Sequence, residues 1–152
     1  MSASTDPAAA ARAVIDANLY LVLATADPDG RPWASPVYFA PDGYRSFFWV
    51  SRPGARHSRN LAARSEVGIV VFDSSAPIGT GRGVYVSADA RELVADERDE
   101  AIEIFSRRSL AHGGNAWTIE DVQPPAALRL FRADALEQYV LTAGDERVPV
   151  TL

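Results

Sequence analysis

Arg52, Arg56, His57, Arg59 and Arg64 crowd into one short stretch, SRPGARHSRNLAAR. Guanidinium forks pair bidentately with phosphate or carboxylate oxygens, and a helix start adds backbone N–H donors that favour anions. Immediately upstream, WASPVYFAPDGYRSFFWV offers an apolar and aromatic wall. Charge, donors and wall lie within about thirty residues, the span of one supersecondary unit. The chemistry this predicts is retention of a phosphate-bearing ligand against a sheet. A solvated helix face is the commonest fate of a run of charges, and both readings stand at this point.

The composition removes most rival chemistries. Cysteine is absent, which excludes disulfides, thiol nucleophiles and thiolate metal sites. All fifteen basic residues are arginine. Without lysine there is no Schiff-base lysine and no phosphate-loop lysine. His57 and His112 are the only imidazoles, too few for a three-histidine metal centre. A net charge of −5 argues against a nucleic-acid binder, whose affinity comes from neutralising phosphates. An arginine cluster inside an acidic protein suits one small anion better.

No apolar run approaches the ~20 residues of a membrane helix, and MSASTDPAAAARAV lacks the pattern of a secretory leader. The expectation is therefore a cytoplasmic protein with no membrane contact. At 152 residues it should form a single domain over 1–152.

Asp6 before Pro7 marks a helix start, and Ala11, Val14 and Ile15 recur at helical spacing, predicting a helix over 7–18. Leu19 to Ala26 is apolar on both faces, as in a strand buried on two sides or lying at a subunit contact. Turn chemistry at Asp27–Gly30 and Pro41–Gly43 flanks a run from Trp33 to Ala40 and precedes another from Arg45 to Ser51. The pattern predicts a three-stranded antiparallel meander over 19–51, with Pro36 marking an edge, a bulge or an opening. Residues 55–64 read as a short helix with Leu61 inward and the arginines outward. Glu66–Asp73 and Gly83–Val94 read as strands, with Val84, Val86 and Ala88 sharing a face. Between them lies a loop in which Arg82 could reach a ligand.

Asp96 should cap a helix of about fifteen residues with Ile102 and Phe105 inward, a Glu103–Arg107 pair and a stop at Gly113-Gly114. Ala127–Phe131 and Leu136–Leu141 supply final strand material, and AGDERVPVTL reads as a polar tail, mobile unless a partner chain orders it. Trp49 and Phe47 read as core, His112 as a surface residue at a helix end. Trp33 and Trp117 read as pocket or interface walls, with Trp33 leaning to an interface. About six largely antiparallel strands with flanking helices favour a small barrel over a doubly wound sheet.

Three segments, LATADPDGRPWASPVYFAPDG, FFWVSR and HSRNLAARSEVGIVVF, together resemble the pyridoxamine 5′-phosphate oxidase-like, FMN-binding split-barrel superfamily. The resemblance is good over residues 8–95 and rests on element order beyond them. It implies a mainly β (α+β) fold, a six-stranded antiparallel split β-barrel with flanking helices. It also implies a homodimer with FMN at the subunit interface. Carried over by position, Ser35, Pro36 and Val37 would face the isoalloxazine ring. Phe48, Trp49, Val50 and Ser51 would border the ring and ribityl chain, largely through their backbone. Arg56, His57, Arg59 and Asn60 would lie nearest the phosphate. His57 stands where many relatives carry a lysine, so Arg56 or Arg59 would supply the charge.

These features predict an FMN-dependent oxidoreductase acting on a small-molecule substrate, a flavoprotein in which the cofactor carries the redox chemistry. No residue stands out as a catalytic acid or base. The deazaflavin F420 is the alternative cofactor, and a non-catalytic protein that stores or senses flavin or haem is the alternative class. A structural barrel with an empty site is the third. True pyridoxamine phosphate oxidation is disfavoured, because that enzyme's substrate-binding C-terminal part looks too long for this chain.

Overall fold

Residue Phe39 decides the architecture. The run expected as one strand is two in the computed structural model, which describes residues 6–152. They are β2 (Pro32–Tyr38) and β3 (Ala40–Asp42), separated by Phe39 alone. β2 pairs antiparallel with β1 (Tyr20–Ala26), whereas β3 pairs with β4 (Ser46–Ser51). The strands β5 (Glu66–Phe72), β6 (Gly83–Glu92) and β7 (Arg129–Thr142) lie between these pairs, giving the order β2-β1-β5-β6-β7-β4-β3. The two ends of this sheet are one continuous piece of chain, so the sheet must curl until they meet. A half-closed antiparallel barrel results, and the expected meander over 19–51 is corrected: β4 follows β2 in sequence but pairs with β7 and β3.

Two differences raise the strand number from six to eight. Phe39 divides the middle run, and the C-terminal tail forms β8 (Glu146–Pro149) against β7 instead of remaining loose. Gly144 and Asp145, at φ 90° and 61°, make the tight turn that permits this hairpin. Val150 and Leu152 then pack against the core. The fourteen-residue β7 is long enough to hold β4 with its first half and β8 with its second. A register shift beside Ser87 and Ala88 bends the β6–β7 ladder.

Three helices flank the sheet: α1 (Pro7–Ala17), α2 (Arg56–Ala63) and α3 (Glu97–Ala111). Asp6 caps α1 through a bond from the Ala8 amide, and Ala11 and Ile15 are its buried residues. The barrel interior is filled by Leu21, Leu23, Val37, Phe39, Phe47, Trp49, Val84, Val86, Phe131 and neighbours. A second core, with Phe48, Leu93, Ile102, Phe105 and Leu130, lies between α3 and the other face of the β3–β4–β7 region. Trp117, expected as a pocket or interface wall, sits edge-on to Phe105 in that second core. The strand β1 buries only Leu21, Leu23 and Thr25, alternating with more open residues, so its outer face is not covered within this chain. The expected Glu103–Arg107 pair is not formed among the described residues. Ion pairs occur instead at Arg91–Glu97, Arg132–Asp134 and Arg147–Asp145. No helix among the described residues is long and apolar enough to cross a membrane. Residues 1–5, the start of the segment tested for a leader pattern, lie outside the described residues.

The crossing is fastened from several sides. The Phe39 amide donates to the Leu19 carbonyl at 3.2 Å, its fully buried ring lies 6.0 Å from that of Phe47, and the Arg108 guanidinium lies 5.0 Å from the ring. Arg108 also donates to the Ile15 and Asn18 carbonyls at the end of α1. Phe39→Ala should therefore lower the unfolding free energy by about 3–5 kcal/mol, the usual cost of emptying a buried aromatic site. Urea denaturation measures it, and a loss below about 1 kcal/mol would show that closure does not depend on this ring.

Candidate functional site

Half-closure leaves backbone without strand partners. β2 pairs only with β1, and the last three residues of β4, Trp49, Val50 and Ser51, pair with β7 but not with β3. At this mouth α2 packs across β1, β2 and β6. The helix is short because the segment offers only Leu61 as a large apolar anchor, and the Arg64 amide closes it on the Asn60 carbonyl.

Side-chain alternation sorts the predicted residues. Trp33, Ser35 and Val37 oppose Thr25, Leu23 and Leu21, all three buried, so they share the inward face of β2. Pro36 lies on the opposite face, exposed, on an edge strand as a residue without an N–H requires. Ser35, Pro36 and Val37 thus offer no common side-chain surface, and what they share is the edge of the strand. On β4, Trp49 is fully buried and stacked on Phe131 at 5.9 Å, while Phe48 belongs to the core beneath α3. Neither ring is open to a ligand, and only their backbone could border one. Val50 and Ser51 are half-buried at the end of the strand.

The cationic group divides in two. Arg52, Arg56 and Arg59 are exposed, and none pairs with a carboxylate among the described residues. The Arg56 guanidinium lies over the Trp33 ring at 4.2 Å, a cation–π contact that orders an otherwise mobile side chain. Arg59 donates to the Gly54 carbonyl at 3.0 Å, and Arg64 reaches back to the Pro28 carbonyl at 3.1 Å. The nearby carboxylate of Asp27 accepts from the Arg31 and Asp29 amides, both at 2.9 Å, and these bonds hold its pKa below the usual range. It is engaged with its own turn, and the charge of Arg56 lowers its pKa a little further without an ion pair forming.

His57 and Asn60 turn inward. His57 is 9% exposed and its Nε2 lies 2.9 Å from the Ser51 Oγ; Asn60 is 5% exposed and donates from Nδ2 to the Thr25 Oγ1 at 3.0 Å. Sequence reasoning placed both near a phosphate and missed Thr25 altogether. The signal was present: His57 lies one turn before the inward Leu61, and Thr25 continues the inward alternation of Leu21 and Leu23. Trp33, expected at an interface, is 42% exposed beneath Arg56.

Two concavities elsewhere on the surface lack this chemistry. A groove of about 690 Å³ between α1 and the β7–β8 turn is lined mainly by alanine, valine and leucine, with Asp73 and Arg82 on its rim. The Arg82 guanidinium there donates to the Thr80 and Gly81 carbonyls of its own loop. A smaller hollow of about 280 Å³ contains exposed His112, whose Nδ1 lies 2.9 Å from the Tyr38 hydroxyl, at the other end of β2 from Trp33.

Antiparallel strands, a curl closed by one crossing residue and flanking helices define an α+β split barrel. A sequence model described as pyridoxamine 5′-phosphate oxidase matches residues 7–141, and the chain belongs to that family. Solved structures share the fold. A haem-binding protein from Mycobacterium smegmatis is 19% identical with a TM-score of 0.78, over 98% of this chain and 59% of that one. HutZ, the haem storage protein from Vibrio cholerae, is 23% identical with a TM-score of 0.68, over 88% and 92%. An F420 reductase is 23% identical with a TM-score of 0.57, over 79% and 88%. The chain thus spans about three fifths of the M. smegmatis protein. No curated protein sequence matches it.

Burial alone pushes the His57 pKa below its ordinary value near 6.5. Above that value the imidazole is neutral in both the folded and unfolded states. Below it, the unfolded chain takes up a proton that the folded chain resists, so stability falls as pH drops. Thermal unfolding from pH 7.5 to 5 should show this decline, and His57→Gln should flatten it. An identical slope in the variant would place the titrating group elsewhere.

Proposed function

We propose that the mouth of the barrel holds FMN and that the protein is a flavin-dependent oxidoreductase for a small-molecule substrate. The observation that carries this reading is the guanidinium of Arg56, stacked on Trp33 at the start of α2 and in no ion pair among the described residues. Beside it are Arg59, the exposed Arg52 and the amides of the helix start, the combination that suits a terminal phosphate. The free edge of β2 at Ser35–Val37 and the backbone of Trp49–Ser51 would meet the polar rim of the ring and the ribityl chain. When bound, FMN supplies hydride and electron transfer; this chain's residues bind and orient it and limit water. His57 and Asn60 border the site from beneath.

Haem fits the same place less well. The imidazole there is buried and engaged by Ser51, and the other, His112, lies at the far end of β2. The phosphate of coenzyme F420 would suit the cradle as FMN's does, so a coenzyme screen belongs to the test. The outer face of β1 and β5, with Tyr20 58% exposed, Phe72 45% exposed and Val22 opposite Val70, is apolar enough to seat a second copy. A homodimer formed there is part of the proposal, as is a cytoplasmic location.

Purified protein should be yellow, or become so with FMN, and should bleach with a reduced nicotinamide donor. Arg56→Ala and Arg59→Ala should each weaken FMN by roughly tenfold or more while leaving riboflavin nearly unchanged, as expected for a lost charge-assisted bond. Equal losses for both ligands would remove the phosphate from this cluster. A colourless protein that binds F420 alone would move the cofactor assignment to the deazaflavin.

A further inference from the structure

Arg56 and Asn60 lie one helical turn apart on α2, and both are tied to Trp33. Arg56 lies over its indole ring at 4.2 Å. Asn60 donates to the Thr25 Oγ1 at 3.0 Å, and that hydroxyl donates in turn to the Trp33 carbonyl at 3.5 Å. Thr25 and Trp33 are direct partners in the β1–β2 ladder, so the second half of the circuit is built into the sheet. Thr25 is 4% and Asn60 5% exposed, and a buried amide and hydroxyl that satisfy each other are costly to separate.

The geometry follows from helix spacing. Residues four apart stand above one another on one side of a helix. The bond at Asn60 therefore joins buried Leu61 and the His57–Ser51 contact in setting the rotation of α2, and it is the one of the three on the Arg56 side of the helix. A freely rotating arginine loses much conformational freedom when it grips a phosphate; one already stacked loses less, which raises affinity without adding a contact.

We propose that Thr25, Asn60 and Trp33 are positioning residues that set Arg56 for an anionic phosphate through a closed Asn60–Thr25–Trp33–Arg56 circuit. This rests on the reading of the mouth as a phosphate site. It assigns to the buried Thr25–Asn60 pair an influence on ligand discrimination that a purely structural bond would not have.

Thr25→Val keeps shape but removes the hydroxyl, and Thr25→Ser keeps the hydroxyl. FMN and riboflavin affinities are measured for both variants and for wild type by fluorescence titration. Thr25→Val should weaken FMN about fivefold, the effect of losing one buried hydrogen bond, with riboflavin within twofold and Thr25→Ser close to wild type. Unchanged FMN affinity in Thr25→Val, or equal weakening of both ligands, overturns the proposal. A ligand-free readout separates this from failure of the site reading. The ¹⁵N heteronuclear NOE of the Arg56 Nε–H should be high in wild type and Thr25→Ser and reduced in Thr25→Val. If wild type binds no FMN or F420, the site reading falls while this relaxation result still judges the circuit. A mobile Arg56 in wild type, or equal order in Thr25→Val, overturns the circuit.

Discussion

The structure depends on one stretch of chain serving as both ends of its sheet. β2 binds β1, β3 binds β4, and Phe39 is the only residue between them. That constraint forces the curl, creates an interior to be filled by Phe47, Trp49 and Phe131, and prevents complete closure. A fully paired barrel would have no free backbone. Here the crossing leaves the edge of β2 and the end of β4 without strand partners, and α2 settles there with its arginines outward. Arg108 ties α1, α3 and the Phe39 ring together, so the closure is held from outside as well as from within.

The mouth shows how a short helix can be well fixed without many apolar side chains. α2 has Leu61 as its large buried hydrocarbon, with His57 and Asn60 beside it. Each of these polar groups finds a hydroxyl on a neighbouring strand, Ser51 on β4 and Thr25 on β1. The lining is polar inside and cationic outside, an inversion of the usual amphipathic helix whose inward face is hydrocarbon. Burial lowers the His57 pKa there, since a buried cation would carry a desolvation cost.

Much of this was legible in the sequence. α1, α3 and β6 announce themselves through periodicity and alternation, and α1 also through its Asp6 cap; Asp96 stands at the N-cap of α3 without a side-chain capping bond. The outward direction of Arg56 and Arg59 followed from α2's single apolar anchor. The break at Phe39 was not legible, because nothing local distinguishes a residue that changes strand partner from one that continues a strand. β8 was missed because Glu146, Arg147 and Pro149 are exposed and its pairing is supplied by the length of β7. The inward turn of His57 was hidden by its basic neighbours, although its spacing from Leu61 pointed the right way. The stacking of Arg56 on Trp33 joins residues distant in sequence and left no local signal.

The family membership and the shared fold place this barrel among proteins with several kinds of ligand, so the mouth must be tested in this chain. The most direct measurement is a ¹H–¹⁵N correlation spectrum of the uniformly labelled protein titrated with FMN. The proposed site requires the large shifts to concentrate on the amides of Trp33, Ser35 and Val37, of Trp49 to Ser51, and of Arg56 to Asn60. Shifts confined to the groove beside α1, or to the Tyr38–His112 end of β2, would contradict it, as would a spectrum unchanged at saturating FMN.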